Sequence, residues 1–119
     1  MTVAEVADRL GLRVLTPGAA GEREVTGGYT SDLLSDVIAH ARSGNIWITL
    51  QTHQNVLAVA KLKDLAAVII VNGRQPDRET LHRAERENVV VLGTDASAFR
   101  ISAELWGTVS GNSSFPSRT

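Results

Sequence analysis

Residues 45–60 decide the fold, and they read Asn-Ile-Trp-Ile-Thr-Leu-Gln-Thr-His-Gln-Asn-Val-Leu-Ala-Val-Ala. The run Ile46–Leu50 is apolar and β-rich, with the length and composition expected of a buried strand. Five polar residues follow, Gln51–Asn55, and an apolar run with helical spacing begins at Val56. A strand that passes through a polar corner into a helix is one half of a βαβ unit. In such units the corner lies at the carboxyl end of the sheet, where ligands of α/β folds usually bind.

The same alternation of strand and helix continues along the chain. Residues 68–71 and 89–92 are uninterrupted apolar runs between helical segments, a pattern typical of strands covered on both faces. Together with residues 46–50, they are expected to be the central strands. The sequence therefore predicts a three-layer α/β domain over residues 1–109, with a mainly parallel sheet of four or five strands and helices on both faces. The polar residues 110–119 are expected to form a flexible tail.

Composition narrows the classes of function. Twelve basic and thirteen acidic residues leave a net charge of −1, which gives no electrostatic reason to expect a nucleic-acid partner or an anionic membrane. Cysteine is absent, so disulfides and thiolate chemistry are excluded. No apolar stretch approaches the ~20 residues of a membrane span. With no signal-peptide pattern at the start, a cytoplasmic location is expected.

No residue set in the chain specifies a catalytic or cofactor site. The histidines His40, His53 and His82 lack metal-ligand spacing, so no metal is expected. The chain has neither the Gly-x-Gly-x-x-Gly pattern of dinucleotide sites nor the Gly-x-x-x-x-Gly-Lys-Ser/Thr phosphate loop. Kinase activity is therefore not supported. The sequence predicts a non-catalytic domain without a cofactor.

A glycine pair interrupts the predicted strand over residues 22–30. Adjacent glycines cost conformational entropy and supply no packing, so Gly27 and Gly28 need an explanation. One explanation is a bulge or tight bend. The alternative is a backbone with positive φ, or one that passes close to another chain or a ligand.

Several segments together resemble the DRTGG domain family. They are residues 23–29 with the glycine pair, 31–37, 47–55, 58–60, 67–70 and 72–73, so the resemblance extends over essentially the whole chain. Members of this family usually occur fused to CBS-domain proteins, including some inorganic pyrophosphatases, and to phosphate acetyltransferases. A related fold forms the N-terminal half of HPr kinase. The resemblance implies a regulatory or assembly module, here without its catalytic partners.

Two functions from different classes follow. The first is a non-catalytic module that self-associates and docks on a partner enzyme. The second is a small-ligand sensor that binds an anionic metabolite or a nucleotide at the carboxyl ends of the strands.

The polar corner is the candidate binding site. Thr52 suits the role of helix cap, whereas Gln51, His53 and Asn55 are not needed for capping. We hypothesise that this corner forms one crevice with residues 26–28, 72–73 and 93–95, which follow predicted strands. The crevice would hold a small anionic ligand or a partner's backbone. The alternative is a hydrogen-bond network that fixes loops or a dimer seam. The candidate residues are Thr26, Gly27, Gly28, Thr49, Gln51, Thr52, His53 and Asn55.

The last helix suggests a homodimer. Its charges, Arg100 and Glu104, occupy one narrow stripe, and apolar residues occupy most of the remaining circumference. Such a helix must be covered nearly all round, either by a partner chain at a two-fold interface or by its own sheet. The candidate interface residues are Phe99, Ile101, Leu105 and Trp106.

Overall fold

The structure is a computed structural model that describes residues 1–110. Apart from Ser110, the predicted flexible tail therefore lies outside the described residues. Within these residues there are five helices and five strands, which alternate except that β2 follows β1 directly. In order they are α1 (Val3–Leu10), β1 (Arg13–Val14), β2 (Gly27–Thr30), α2 (Leu34–His40), β3 (Asn45–Thr49), α3 (Asn55–Leu62), β4 (Ala67–Ile70), α4 (Arg78–Arg86), β5 (Val91–Gly93) and α5 (Ala98–Val109).

The strands form one mainly parallel sheet in the order β1-β5-β4-β3-β2. Strands β2, β3, β4 and β5 run parallel to one another, and β1 pairs antiparallel with β5 at one edge. The three apolar runs of the sequence, β3, β4 and β5, are the central strands as predicted. The predicted fold class is confirmed.

The two faces of the sheet carry separate apolar cores. Ile46 and Ile48 of β3 lie in one core with residues of α1 and α5, and Trp47 lies in the other with residues of α2, α3 and α4. Successive side chains of a strand point to opposite faces, so a strand buried on both faces must be apolar at every position. This requirement explains the uninterrupted apolar runs of the central strands. No helix within residues 1–110 is long and apolar enough to cross a membrane.

The glycine pair lies inside β2 rather than after a strand. Gly28 pairs with Ile46 of β3. A Cβ atom added at Gly28 would lie 2.7 Å from the Cδ2 atom of Leu105 on α5. Glycine is therefore explained at position 28 by the close packing of a helix, and the bulge or bend considered from the sequence is not what is seen.

Two of the four predicted interface residues lie inside the protein's own core. Ile101 and Leu105 of α5 are 1% and 2% exposed, and both pack against the sheet. They cannot contact a second chain in this fold, so their assignment to a dimer interface is wrong. Phe99 and Trp106 remain 87% and 44% exposed. The helix thus wedges one face into its own sheet and leaves two aromatic side chains outside.

We predict that Gly28→Ala lowers the free energy of unfolding by about 1–3 kcal/mol, because the new methyl group overpacks against the buried Leu105 side chain. Gly21→Ala is the matched control, since its new methyl would meet the Ala4 Cβ atom at an ordinary 3.5 Å. Its effect should stay within about 0.5 kcal/mol. Urea unfolding of both variants checks the prediction, and equal losses would contradict it.

Candidate functional site

The predicted polar corner lies at the carboxyl end of β3. Thr49 is the last residue of the strand and is 1% exposed. Gln51 and Thr52 are half-buried in the loop, while His53 and Asn55 are exposed where α3 begins. The corner is therefore where the sequence places it, between a buried strand and the first turn of a helix.

Asp32, which follows β2, holds the first part of this corner in place. Its Oδ1 atom accepts hydrogen bonds from the Thr49 hydroxyl at 2.8 Å and from the Leu50 N–H at 2.9 Å. Its backbone carbonyl accepts from the Gln51 side-chain amide at 2.8 Å. Thr49 and Gln51 thus have a structural task, as the network alternative proposed. Sequence reasoning missed Asp32, although its place directly after a strand parallel to β3 puts it at the same edge of the sheet.

Gln54 occupies the N-cap position of α3 and makes no side-chain cap hydrogen bond, and Thr52 does not cap the helix. The helix begins at Asn55, and the Asn55 N–H donates to the Nδ1 atom of His53 at 3.0 Å. The predicted capping role of Thr52 is therefore wrong. Because Nδ1 accepts this bond, the neutral ring carries its proton on Nε2, which is left as a donor.

A cleft of about 460 Å³ opens between this loop and the loop after β4. Both loops follow parallel, adjacent strands, so both emerge at the carboxyl edge of the sheet. The side chains that line the cleft are all polar or charged. They are Gln51, Thr52, His53, Gln54, Arg74, Gln75, Asp77 and Thr80.

Hydrogen bonds fix the walls of the cleft. The Arg83 side chain on α4 donates to the Gln54 side-chain oxygen at 2.8 Å and so links the two loops through the helix. Asp77 caps α4, because its Oδ1 atom accepts from the Thr80 N–H at 2.8 Å. This bond lowers the pKa of Asp77, and the nearby His53 lowers it further when protonated. These bonds tie both walls of the cleft to α4.

One cation in the cleft is unpaired. Within residues 1–110 no carboxylate lies within ion-pair distance of Arg74, whereas Arg83 pairs with Glu87 at 2.8 Å. The same part of the chain contains no group of three histidine or acidic side chains close enough to hold a metal ion. The arrangement can hold a polar, negatively charged molecule.

The glycine pair lies at the end of the sheet where the parallel strands begin, whereas the polar corner lies at the end where they finish. Gly27 pairs with Asn45 at the start of β3, whereas Gln51 follows its end. The strand from Asn45 to Thr49 lies between these positions, and its four steps alone span roughly 13 Å at ~3.3 Å per residue. Thr26 is occupied at that amino edge, where its hydroxyl donates to the Ser43 carbonyl at 2.9 Å. The inclusion of the glycine pair in one crevice with the polar corner is therefore wrong, since parallel pairing separates strand starts from strand ends. The loop after β4, by contrast, does lie beside the corner.

We predict that Asp32→Ala lowers the free energy of unfolding by about 1–3 kcal/mol, because the buried Thr49 hydroxyl loses its acceptor. Asp32→Asn is the control, since it keeps an oxygen at the same place, and it should lose clearly less. Chemical denaturation measures both. If both variants lost the same free energy of unfolding, the hydrogen bonds accepted by Asp32 would not be the source of its contribution to stability.

The cap of α4 should make part of the stability depend on acid pH. The pKa of Asp77 lies below its ordinary value of 3.8, so its charge stabilises the fold above that value. This contribution is lost as the pH falls through the lowered pKa. Asp77→Asn retains an acceptor without the charge. The melting-temperature difference between wild type and this variant should therefore be present at about pH 5 and shrink below pH 3.8. A difference that grows on acidification would contradict the assignment.

No family model matches the sequence, and no curated protein matches it. Among solved structures, the fold is similar to a chain with the CBS and DRTGG domains of the regulatory region of Clostridium perfringens pyrophosphatase, complexed with its activator, diadenosine tetraphosphate. The TM-score is 0.65 at 16% identity, over 87% of this chain. The match spans 45% of that chain, less than half of its length. A likeness at this identity shows the α/β fold alone, and membership of the DRTGG family stays a prediction.

Proposed function

We propose that the chain is a non-catalytic regulatory module that binds a small anionic metabolite or nucleotide in the cleft between the β3–α3 and β4–α4 loops. The observation that carries this proposal is the polar cleft of about 460 Å³. Its size falls in the ~300–1,000 Å³ range of small-molecule sites. The similar fold in the regulatory region of a pyrophosphatase supports a regulatory role.

The chemistry of the lining favours a phosphate or carboxylate group. Arg74 supplies a cation without a competing carboxylate partner, and guanidinium groups bind such oxyanions through paired hydrogen bonds. The side chains of Thr52 and Gln75 have no hydrogen-bond partner within residues 1–110, so both are available to a ligand. The Nε2 donor of His53 adds a further contact. Asp77, engaged as a helix cap, limits the charge that the cleft can accept.

A binding role fits these residues better than a catalytic one. The acceptor nitrogen of His53 is occupied by the Asn55 N–H, so the neutral ring has no free nitrogen to act as a base. The sequence has no phosphate loop of the kind that P-loop kinases use. Regulation through ligand occupancy requires only the cleft and a surface that communicates with a partner.

Self-association with docking on a partner enzyme is the second candidate function. It is favoured by the exposure of Phe99 and Trp106 on α5, since large exposed aromatic side chains mark interaction surfaces. The two functions are compatible, because the cleft and α5 involve different residues.

The ligand proposal is tested by thermal unfolding against a panel of nucleotides and phosphorylated metabolites. A compound present at one hundred times its dissociation constant adds about 2.7 kcal/mol, which raises the melting temperature by on the order of 10 °C. Arg74→Ala should abolish the shift given by any such compound.

Arg42→Ala is the matched control, because Arg42 is an exposed arginine that lies just before β3, at the opposite edge of the sheet. It should keep the full shift. If no compound stabilises the wild type, or if both variants respond alike, the cleft is not the ligand site.

A further inference from the structure

Helix α5 has an outer side that its own sheet does not cover. Phe99, Ser102, Ala103 and Trp106 recur at helical spacing and form what we call the outer stripe. The Ser102 Oγ atom lies 2.6 Å from the Thr30 Oγ1 atom of β2, which places the stripe beside an edge strand of the sheet. Strand β2 has no charged residue that would discourage pairing with another chain.

A hollow of about 150 Å³ adjoins the stripe at Trp106. Gly28 of β2 and Leu105 of α5 form part of its wall. An apolar cavity of about 150 Å³ accommodates a benzene ring. The hollow is thus of a size to receive one aromatic side chain.

The same helix carries a side chain that suits the hollow. Phe99 is 87% exposed, and it precedes Trp106 by seven residues, or about 10 Å along the helix. Between these aromatic residues the stripe has only the small side chains of Ser102 and Ala103. The stripe therefore has a bulky side chain at each end and two small ones in the middle. Two such helices can cross antiparallel at the small residues, so that the bulky end of each lies against the other end of its partner. Each Phe99 then lies opposite the Trp106 hollow of the other copy.

The charges beside the stripe favour the same arrangement. Arg100 and Glu104 form an ion pair of 2.8 Å within the helix. In an antiparallel pair centred between Ser102 and Ala103, Arg100 of one copy approaches Glu104 of the other. Such opposite charges on the same flank of the contact favour association of the two copies. The net charge of −1 adds little repulsion between copies.

We propose that the partner of the outer stripe is a second copy of this chain, bound through antiparallel α5 helices related by a two-fold axis. Helix α5 carries both the protruding Phe99 and the hollow at Trp106. Two copies can therefore bind through the same surface, as in an isologous interface. The proposal gives a geometry to the self-association candidate and does not depend on a ligand in the cleft.

The first test is the mass of the full chain by light scattering at tens of micromolar. We expect a dimer for the wild type and a dissociation constant at least tenfold weaker for Phe99→Ser. Leu62→Ser, which removes a 68% exposed leucine of α3, is the matched control and should leave the dimer unchanged. A monomeric wild type, or a Phe99→Ser dimer of unchanged affinity, would overturn the proposal.

The second test uses the absence of cysteine from the chain. Ala103→Cys places a single thiol near the two-fold axis, so mild oxidation should cross-link most of the dimer, whereas Leu62→Cys should remain uncross-linked. Reversing the charges with Arg100→Glu and Glu104→Arg together should preserve the dimer, and Glu104→Arg alone should weaken it. A dimer that Ala103→Cys does not cross-link would place the interface elsewhere. Ligand binding in the cleft is measured by thermal unfolding, whereas the dimer is measured by light scattering and cross-linking. If one proposal fails, the other can therefore still be tested.

Discussion

The structure depends on the enclosure of β3. This strand lies between β2 and β4 and is covered by helices on both faces, so the residues Ile46–Thr49 are buried from water. Polar groups must be satisfied where such a strand leaves the core, because an unpaired buried donor costs about 1–3 kcal/mol. Asp32 meets this requirement for Thr49 and Leu50. The Trp47 indole meets it by donating to the Ser31 carbonyl at 2.7 Å. The segment after β2 is thereby fastened to the end of β3.

The cleft follows from that fastening and from parallel pairing. Since β3 and β4 are parallel neighbours, the loops that follow them emerge side by side. One loop is fixed through Asp32 and the other through Asp77 and the cap of α4. Arg83 links the two by its bond to Gln54. Gln51, Gln54 and Asp77, which line the cleft, are consequently held by the fold itself. A ligand would therefore lose little free energy in arranging them.

The sequence predicted the parts of the structure that local pattern determines. Apolar runs at 46–50, 68–71 and 89–92 predicted the three central strands, since only strands buried on both faces need such composition. It did not predict the reason for Gly28, because the side chain that excludes a Cβ there belongs to Leu105, near the other end of the chain. Ile101 and Phe99 are both large apolar residues of α5, so the sequence did not distinguish them. Only the packing of the helix shows that Ile101 is buried and Phe99 is exposed. Likewise, Arg74 and Asp32 belong to the site through pairing between strands, which single-sequence reasoning does not provide.

The helices that close one face of the sheet come from opposite ends of the described chain. Both α1 and α5 cover the face that carries Ile46 and Ile48, and β1 joins β5 in the same way. Contacts between residues so distant in sequence form late, because a long loop must close before they contribute. During synthesis on the ribosome, this apolar face would stay uncovered until α5 had emerged. Such intermediates are prone to aggregate, so chaperones that shield nascent chains should matter more for this protein than its small size suggests.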